Sequence, residues 1–250
     1  MEDAINPCSD SCQLLAEGIS FSVDGQRILD DISISVSRGE IVGLLGRDGS
    51  GKTCLFEILA GQIRPDEGRV SLNGADVTES TVDERAILGI TYLPEEISVF
   101  RELTVDENLA MALDQSDAAP EARSVRLEQL LSAFQLDRLR HQTAATLSGG
   151  ERRRCEVARA VATNPSFLLL DEPFKGLDPM TIREIKELVS LLSQEKIGAL
   201  VSDYDVHDMV ELMDRVYVIH QGRLIFGGST DALLHDPLVR RLYLGESFAL

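Results

Sequence analysis

Apolar residues follow two rhythms along this chain, and the change between them divides it. From Gln13 to Val36 they alternate with polar positions, most clearly at Ile32, Ile34 and Val36, with Asp24-Gly25 between two such runs as a hairpin turn. An antiparallel layer is predicted there, and Gly68 to Thr78 adds a short strand pair turning at Asn73-Gly74. Glu40-Ile41-Val42-Gly43-Leu44-Leu45 reads as a buried strand, followed by a helix from Lys52 to Ala60 that Gly61 ends. Ile90-Thr91-Tyr92-Leu93 is a strand stopped by Pro94. From Thr104 to Leu136 the period becomes helical. Thr104-Val105-Asp106-Glu107 is a capping box, and a second helix after Pro120 carries Leu127, Leu130, Leu131 and Phe134 on one face. Strands return with Phe167-Leu168-Leu169-Leu170, apolar throughout and bounded by Pro165 and Asp171, as expected of a central parallel strand. Ala199-Leu200-Val201 and Val216-Tyr217-Val218-Ile219 follow, the first of them reached through a helix after Pro179. Gln221-Gly222 turns a last hairpin, and two short amphipathic helices close the chain.

The pattern predicts an α/β core with an antiparallel β subdomain and an inserted α-helical subdomain. Residues 1–12 are polar and aperiodic, a tail. Residues 13–250 form one domain: 13–94 and 156–225 the core and antiparallel layer, 95–155 the helical subdomain, 226–250 a helical tail.

Composition changes this picture mainly by exclusion. The 250 residues carry 24 Lys and Arg against 42 Asp and Glu, a net charge of −18, which repels nucleic acid and anionic lipid as main partners. Any basic phosphate site is therefore local. No apolar run approaches the roughly 20 residues that span a bilayer, so no direct membrane insertion is expected. Met1-Glu2-Asp3-Ala4 lacks the basic and apolar regions of a secretory signal. Cys8, Cys12, Cys54 and Cys155 form no complete metal or disulfide pattern and are expected as reduced thiols in the cytoplasm.

Gly46-Arg47-Asp48-Gly49-Ser50-Gly51-Lys52-Thr53 fits the phosphate-loop pattern G-x-x-x-x-G-K-[ST] at every fixed position, between a strand and a helix as that loop requires. Glycines let successive N–H groups converge on a phosphate, and the helix adds its positive dipole end. Lys52 reaches the β- and γ-phosphates, Thr53 offers a hydroxyl to Mg²⁺, and Cys54 completes the nucleotide-binding stretch. Asp171-Glu172 ends the Phe167 strand, where open α/β sheets bind ligands. Asp171 is the candidate to hold Mg²⁺ through water, and Glu172 to orient or deprotonate the attacking water. Leu147-Ser148-Gly149-Gly150-Glu151 opens a strongly helical run. By itself it reads equally as an ordinary N-cap or as a second anion site. One phosphate loop needs no second anion site in its own pocket. The economical reading is that two copies meet head to tail, each completing the other's site.

Together these motifs, with Gly176-Leu177-Asp178, resemble the ATP-binding cassette (ABC) ATPases over residues 13–250. The resemblance implies a P-loop NTPase of RecA-like core that hydrolyses ATP with Mg²⁺. It implies that the γ-phosphate is capped from the partner by the signature residues Ser148, Gly149, Gly150 and Glu151, and that Asp178 bridges the two sites. It also implies that the helical subdomain docks on separate membrane permease subunits at the cytoplasmic face of the inner membrane. The second ATPase is another copy or a related chain. Leu147 to Arg154, Asp171-Glu172-Pro173-Phe174 and Val239 to Phe248 are most similar to lipopolysaccharide-export ATPases of the LptB type. Branched-chain amino-acid importer ATPases look similar as well. If the former likeness holds, Phe100 and Arg101 lie in the permease groove; otherwise Phe100 simply packs the helical subdomain.

Three positions depart from that family pattern. Glu95 stands where a switch glutamine is usual; it still offers oxygen to Mg²⁺ but adds negative charge near the γ-phosphate. Tyr204 stands where a switch histidine is usual and cannot carry positive charge near neutral pH. Val23 stands where an aromatic usually stacks on adenine, and Phe21, two residues earlier on the same strand face, is a candidate substitute. ATP binding and dimer closure are expected to persist, with Glu95 and Tyr204 slowing hydrolysis. An ATP-gated clamp paired with an active partner is the corresponding alternative.

Overall fold

The computed structural model describes residues 13–115 and 118–245. β1 (Gln13–Val23) and β2 (Gln26–Ser37) join at Asp24-Gly25, where both residues take the positive φ that a two-residue hairpin requires. β3 (Ile41–Leu45) leads through the glycine loop into α1 (Lys52–Ala60). β4 (Glu67–Leu72) and β5 (Ala75–Asp76) flank Asn73-Gly74, then come α2 (Val82–Ile87) and β6 (Ile90–Leu93). Three helices follow: α3 (Val105–Leu113), α4 (Pro120–Ala133) and α5 (Gly149–Ala162). The chain returns to strand with β7 (Phe167–Leu170), then α6 (Pro179–Gln194), β8 (Gly198–Asp203) and the short α7 (Val206–Met209). β9 (Arg215–His220) and β10 (Arg223–Gly228) form the last hairpin, before α8 (Thr230–His235) and α9 (Pro237–Val239).

These strands make two sheets. One is antiparallel, in the order β2-β1-β4-β5; the other runs β10-β9-β3-β8-β7-β6, parallel from β9 to β6 with β10 antiparallel at its edge. The parallel sheet separates two cores, and its strands sort their side chains between them by simple alternation. Ile41, Leu45, Leu168, Leu170, Ala199, Val201, Val216 and Val218 face a core shared with α3 to α6. Val42, Leu44, Phe167, Leu169, Leu200, Tyr217 and Ile219 face the other, closed by α1 and the antiparallel sheet. Both faces are covered, which is why these strands read as continuous apolar runs. β7, expected at the centre, lies second from the edge, with β3 and β8 between it and the hairpin. An apolar run reports cover on both faces, and that cover extends almost to the sheet's rim.

In the helical stretch after β6, Thr104 caps α3 through a reciprocal pair with Glu107. The insertion's expected end at residue 155 falls inside α5. Cys155, Val157, Ala158 and Val161 are buried in the same core as Leu168 and Leu170, so the helix that opens the insertion's last element also packs on the sheet. α2 escaped the periodicity because it has no apolar stripe: its buried residue is Arg85. Its capping box, Thr81 with Glu84, was the available sign. Cys8 and Cys12 lie outside the described residues, as does the end of the Val239 to Phe248 stretch.

Arg85 ties this periphery to the C-terminal end of α1. Its side chain is 1% exposed and donates to the carbonyls of Ile58 at 2.6 Å and Leu59 at 2.8 Å, at the C-terminal end of α1, and to Thr78 at 2.9 Å. The Ile58 carbonyl also accepts the Gly61 amide at 3.1 Å, so it is the Leu59 carbonyl that Arg85 keeps from being orphaned. Arg85→Ala takes the donor from the Leu59 carbonyl and leaves a void beside it, and is expected to cost about 3 kcal/mol of unfolding free energy. The midpoint of a urea unfolding curve measures this.

Candidate nucleotide site

β3 delivers the chain to the phosphate loop at Leu45, and the backbone then makes turns that side chains resist. Gly49 and Gly51 sit at φ +73° and +106°, and a Cβ on Gly51 would lie 2.6 Å from Leu29 Cδ2. No side chain caps α1 and its first turn holds no acidic residue, so its leading amides are left to an anion. The buried Ser50 hydroxyl has no hydrogen-bond partner among the described residues, an orphan that a phosphate oxygen would satisfy.

Lys52, 4% exposed, donates to the Gly46 carbonyl at 2.8 Å and pairs with Glu172 Oε1 at 3.2 Å. Glu172 leaves β7 with φ +44°, a left-handed conformation that residues with a Cβ rarely adopt and that turns its carboxylate toward the loop. Its other oxygen, Oε2, pairs with Lys175 Nζ at 3.0 Å, and Lys175 in turn pairs with Glu95 Oε1 at 2.8 Å. Burial would raise the Glu172 carboxyl, but Lys175 and Lys52 together outweigh it and hold it below the usual glutamate range. Bonds to Glu95 and Glu172 push the Lys175 ammonium above the usual lysine range.

Asp171 is fully buried. It accepts from the Ser202 hydroxyl and, at 3.4 Å, from Tyr92 Oη; the same Ser202 oxygen accepts the Glu172 amide at 2.9 Å. One β8 serine therefore holds the Asp171 carboxylate and the Glu172 backbone. Arg153, buried in α5, gathers the rest: it donates to the carbonyls of Pro94, Asp171 and Pro173, each at 3.2 Å, and to Glu156 Oε2 at 3.0 Å. The loop after β6, the exit of β7 and the signature helix are thus tied by one guanidinium.

A cleft of about 560 Å³ is lined by Asp48, Gly49, Gly51, Lys52, Thr53, Cys54, Glu57, Glu95, Glu172 and Lys175, with Ile28 as its apolar wall. Thr53 and Glu95 face it, while Asp171 lies behind its lining and could reach a metal only through water. Among the described residues no three His, Cys, Asp or Glu stand close enough to hold a cation alone. This fits Mg²⁺, which takes one or two protein oxygens and draws the rest from phosphate and water. Glu57, on the cleft wall, has its carboxyl raised by burial and then by the charges of Asp171 and Glu96. Such crowding is what a divalent cation relieves. Burial, then Glu57, pushes the Cys54 thiol up to about 11, so it stands protonated at the cleft.

Other expected residues lie apart. Ser148 caps α5 with Glu151 in a reciprocal box, accepting the Glu151 amide at 3.3 Å while Glu151 accepts the Ser148 amide at 2.8 Å. The ordinary N-cap is therefore present, and Ser148 is exposed. Neither Ser148 nor Gly150 lines the phosphate cleft; Gly149 lines an adjoining one of about 220 Å³ with Glu95, Glu172 and Lys175. Gly150 is held to glycine by α6: a Cβ there would lie 2.6 Å from Thr181 Cγ2. Thr181 is in turn bonded by Asp178, whose carboxylate caps α6 through the amides of Met180 and Thr181 and accepts the Thr181 hydroxyl at 2.6 Å. Signature and Asp178 loop thus share one contact.

Tyr204 lines a third cleft of about 580 Å³ with Arg47, Asp48 and Tyr243. Its ring is 56% exposed, and its carbonyl accepts Tyr243 Oη at 2.6 Å. Val23 is exposed, and Phe21 packs on the core, so neither lines the phosphate cleft. Phe100, 48% exposed, lines a groove of about 390 Å³ with Tyr92, Met111 and Arg159, whose guanidinium sits 5.0 Å from the ring centre. Arg101 is exposed but does not line that groove. Sequence reasoning missed Lys175, Ser202, Arg153 and Ile28. A lysine three residues past Glu172 was the one visible signal.

The model of the ABC transporter family matches residues 29–175. A probable ABC transporter ATP-binding protein of Azorhizobium caulinodans is 43% identical over 99% of this chain and 88% of its own length. The lipopolysaccharide export system ATP-binding protein LptB of Escherichia coli K12 is 41% identical over 95% of this chain and 99% of its own. Among solved structures, an ATP-binding cassette of an ABC transporter in its ADP conformation superposes with a TM-score of 0.81 at 28% identity, over 95% of this chain and all of that one. Among the described residues no helix is long and apolar enough to cross a membrane.

Proposed function

The chain belongs to the ABC transporter family as an ATP-binding, ATP-hydrolysing subunit, and from that premise we propose that it drives lipopolysaccharide export through a separate membrane permease, from the cytoplasmic side. Subunits of this family pair with one another and work with permeases. The cargo is read from the relatives named for lipopolysaccharide export, which align with this chain nearly end to end.

One observation carries the mechanism: Lys52 and Glu172 already meet at the phosphate loop, while Ser148 lies outside that cleft. A triphosphate entering the cleft competes with Glu172 for Lys52, and its oxygens take the amides of Gly51, Lys52 and Thr53 and the Ser50 hydroxyl. Mg²⁺, when bound, would offset the charge of the phosphate oxygens; Thr53 would hold it, with Asp171 acting through water, while Glu95 is engaged by Lys175. Glu172, an ionised acceptor freed from Lys52, orients water on the γ-phosphate. Tyr204, exposed beside Arg47 and Asp48, would meet the γ-phosphate only as the loops close. Ser148 and the leading α5 amides of a second copy, arriving head to tail, complete the cage, and Asp178 couples that contact to the second site.

The permease surface is the groove around Phe100, an exposed aromatic beside apolar Met111. Affinity-purified chain from detergent extract is expected to bring down a lipopolysaccharide permease pair, and Phe100→Ala to lower that recovery about tenfold with ATP binding intact. Co-purification of an amino-acid permease instead would overturn the cargo.

A further inference from the structure

Lys175 is the unexplained cation of the phosphate cleft. It follows Glu172 by three residues, on the loop leaving β7, and its ammonium lies 3.0 Å from Glu172 Oε2 and 2.8 Å from Glu95 Oε1. The cleft lining holds four carboxylates, Asp48, Glu57, Glu95 and Glu172, against two ammonium groups, Lys52 and Lys175. Lys52 is engaged from inside the loop. Lys175 is the cation paired with Glu95, whose carboxylate lines the same cleft. The Lys175 side chain is 43% exposed.

We propose that Lys175 is a positioning residue with two separable effects: it cancels the charge of Glu95 so that a polyphosphate can bind, and it fixes Glu172 by its second oxygen. The geometry makes the two effects distinguishable. The first exists only because Glu95 is ionised and adjacent; a glutamine there needs no cation. The second depends on Glu172 alone. With Lys52 on Oε1 and Lys175 on Oε2, the carboxylate is gripped from both sides, and a triphosphate that draws Lys52 away leaves Lys175 as the remaining tether. This rests on the nucleotide-site reading above and is independent of the cargo.

The test is a double-mutant cycle on the full chain, with Mg²⁺ and a non-hydrolysable fluorescent ATP analogue for binding and steady-state turnover for kcat. Lys175→Ala is expected to raise the analogue's Kd about tenfold and lower kcat about tenfold. Glu95→Gln with Lys175→Ala is expected to return Kd to within about threefold of the parent while kcat stays low, and Lys175→Arg to keep both near the parent. The parent's binding, lost in Lys52→Ala, checks the site itself; a parent that does not bind overturns site and proposal together. With parent binding intact, the proposal alone falls if Lys175→Ala leaves Kd unchanged, or if the Lys175 and Glu95 effects on log Kd merely add.

Discussion

Glu172→Gln will hydrolyse ATP at least about a hundredfold more slowly than the parent and will accumulate as an ATP-bound dimer. The amide keeps the shape of the carboxylate and the turn at φ +44° that presents it. What it loses is charge: the pairs with Lys52 at 3.2 Å and Lys175 at 3.0 Å both weaken, and the group can no longer hold a water as an anion does. Binding does not suffer in the same way, because Lys52 is released to phosphate without competition. Turnover under saturating ATP, together with size-exclusion chromatography in ATP and Mg²⁺, reads both halves. A variant that hydrolyses at the parent rate, or stays monomeric at every concentration, contradicts the assignment of Glu172.

Lys52→Ala will lose ATP affinity by about a hundredfold or more, since it removes a charge-assisted contact to phosphate inside a buried loop. Deleting one partner of a buried pair usually also destabilises the fold, by about 3 to 5 kcal/mol, because the other charge is stranded. Here the loss should be smaller. Glu172 keeps Lys175 as a second cation, so the stranded charge is only partly uncompensated. Equilibrium binding of labelled ATP measures the first effect and a urea midpoint the second. Retained affinity would remove Lys52 from the site.

Most of this architecture was legible because its signals are local. Period-two runs placed the antiparallel strands, Thr104 and Pro120 opened their helices, and Gly61 closed α1 where expected. The strand and helix around the phosphate-loop pattern, and the strand before Asp171-Glu172, were legible for the same reason: each is a short contiguous pattern. What escaped depends on distance in sequence. Ser202 reaches Asp171 across 31 residues and Arg153 reaches Pro94 across 59, through sheet order and helix docking that no single segment encodes. Lys175 was near its partner and still missed, because its meaning comes from Glu95, which only the fold brings beside it. Residue 155, the expected end of the insertion, falls within α5, whose second half packs in the same core as the sheet.

The central claim is that Lys52 of one copy works with Ser148 of another. Mixing two inactive variants, Lys52→Ala and Ser148→Arg, tests it directly. In a mixed dimer one composite site carries both lesions and the other carries neither. Equimolar mixing should therefore restore about a quarter of the parent ATPase activity, provided the two sites fire independently. Activity that stays at the level of the separate variants, with mixed dimers shown to form, would contradict a site shared between two chains.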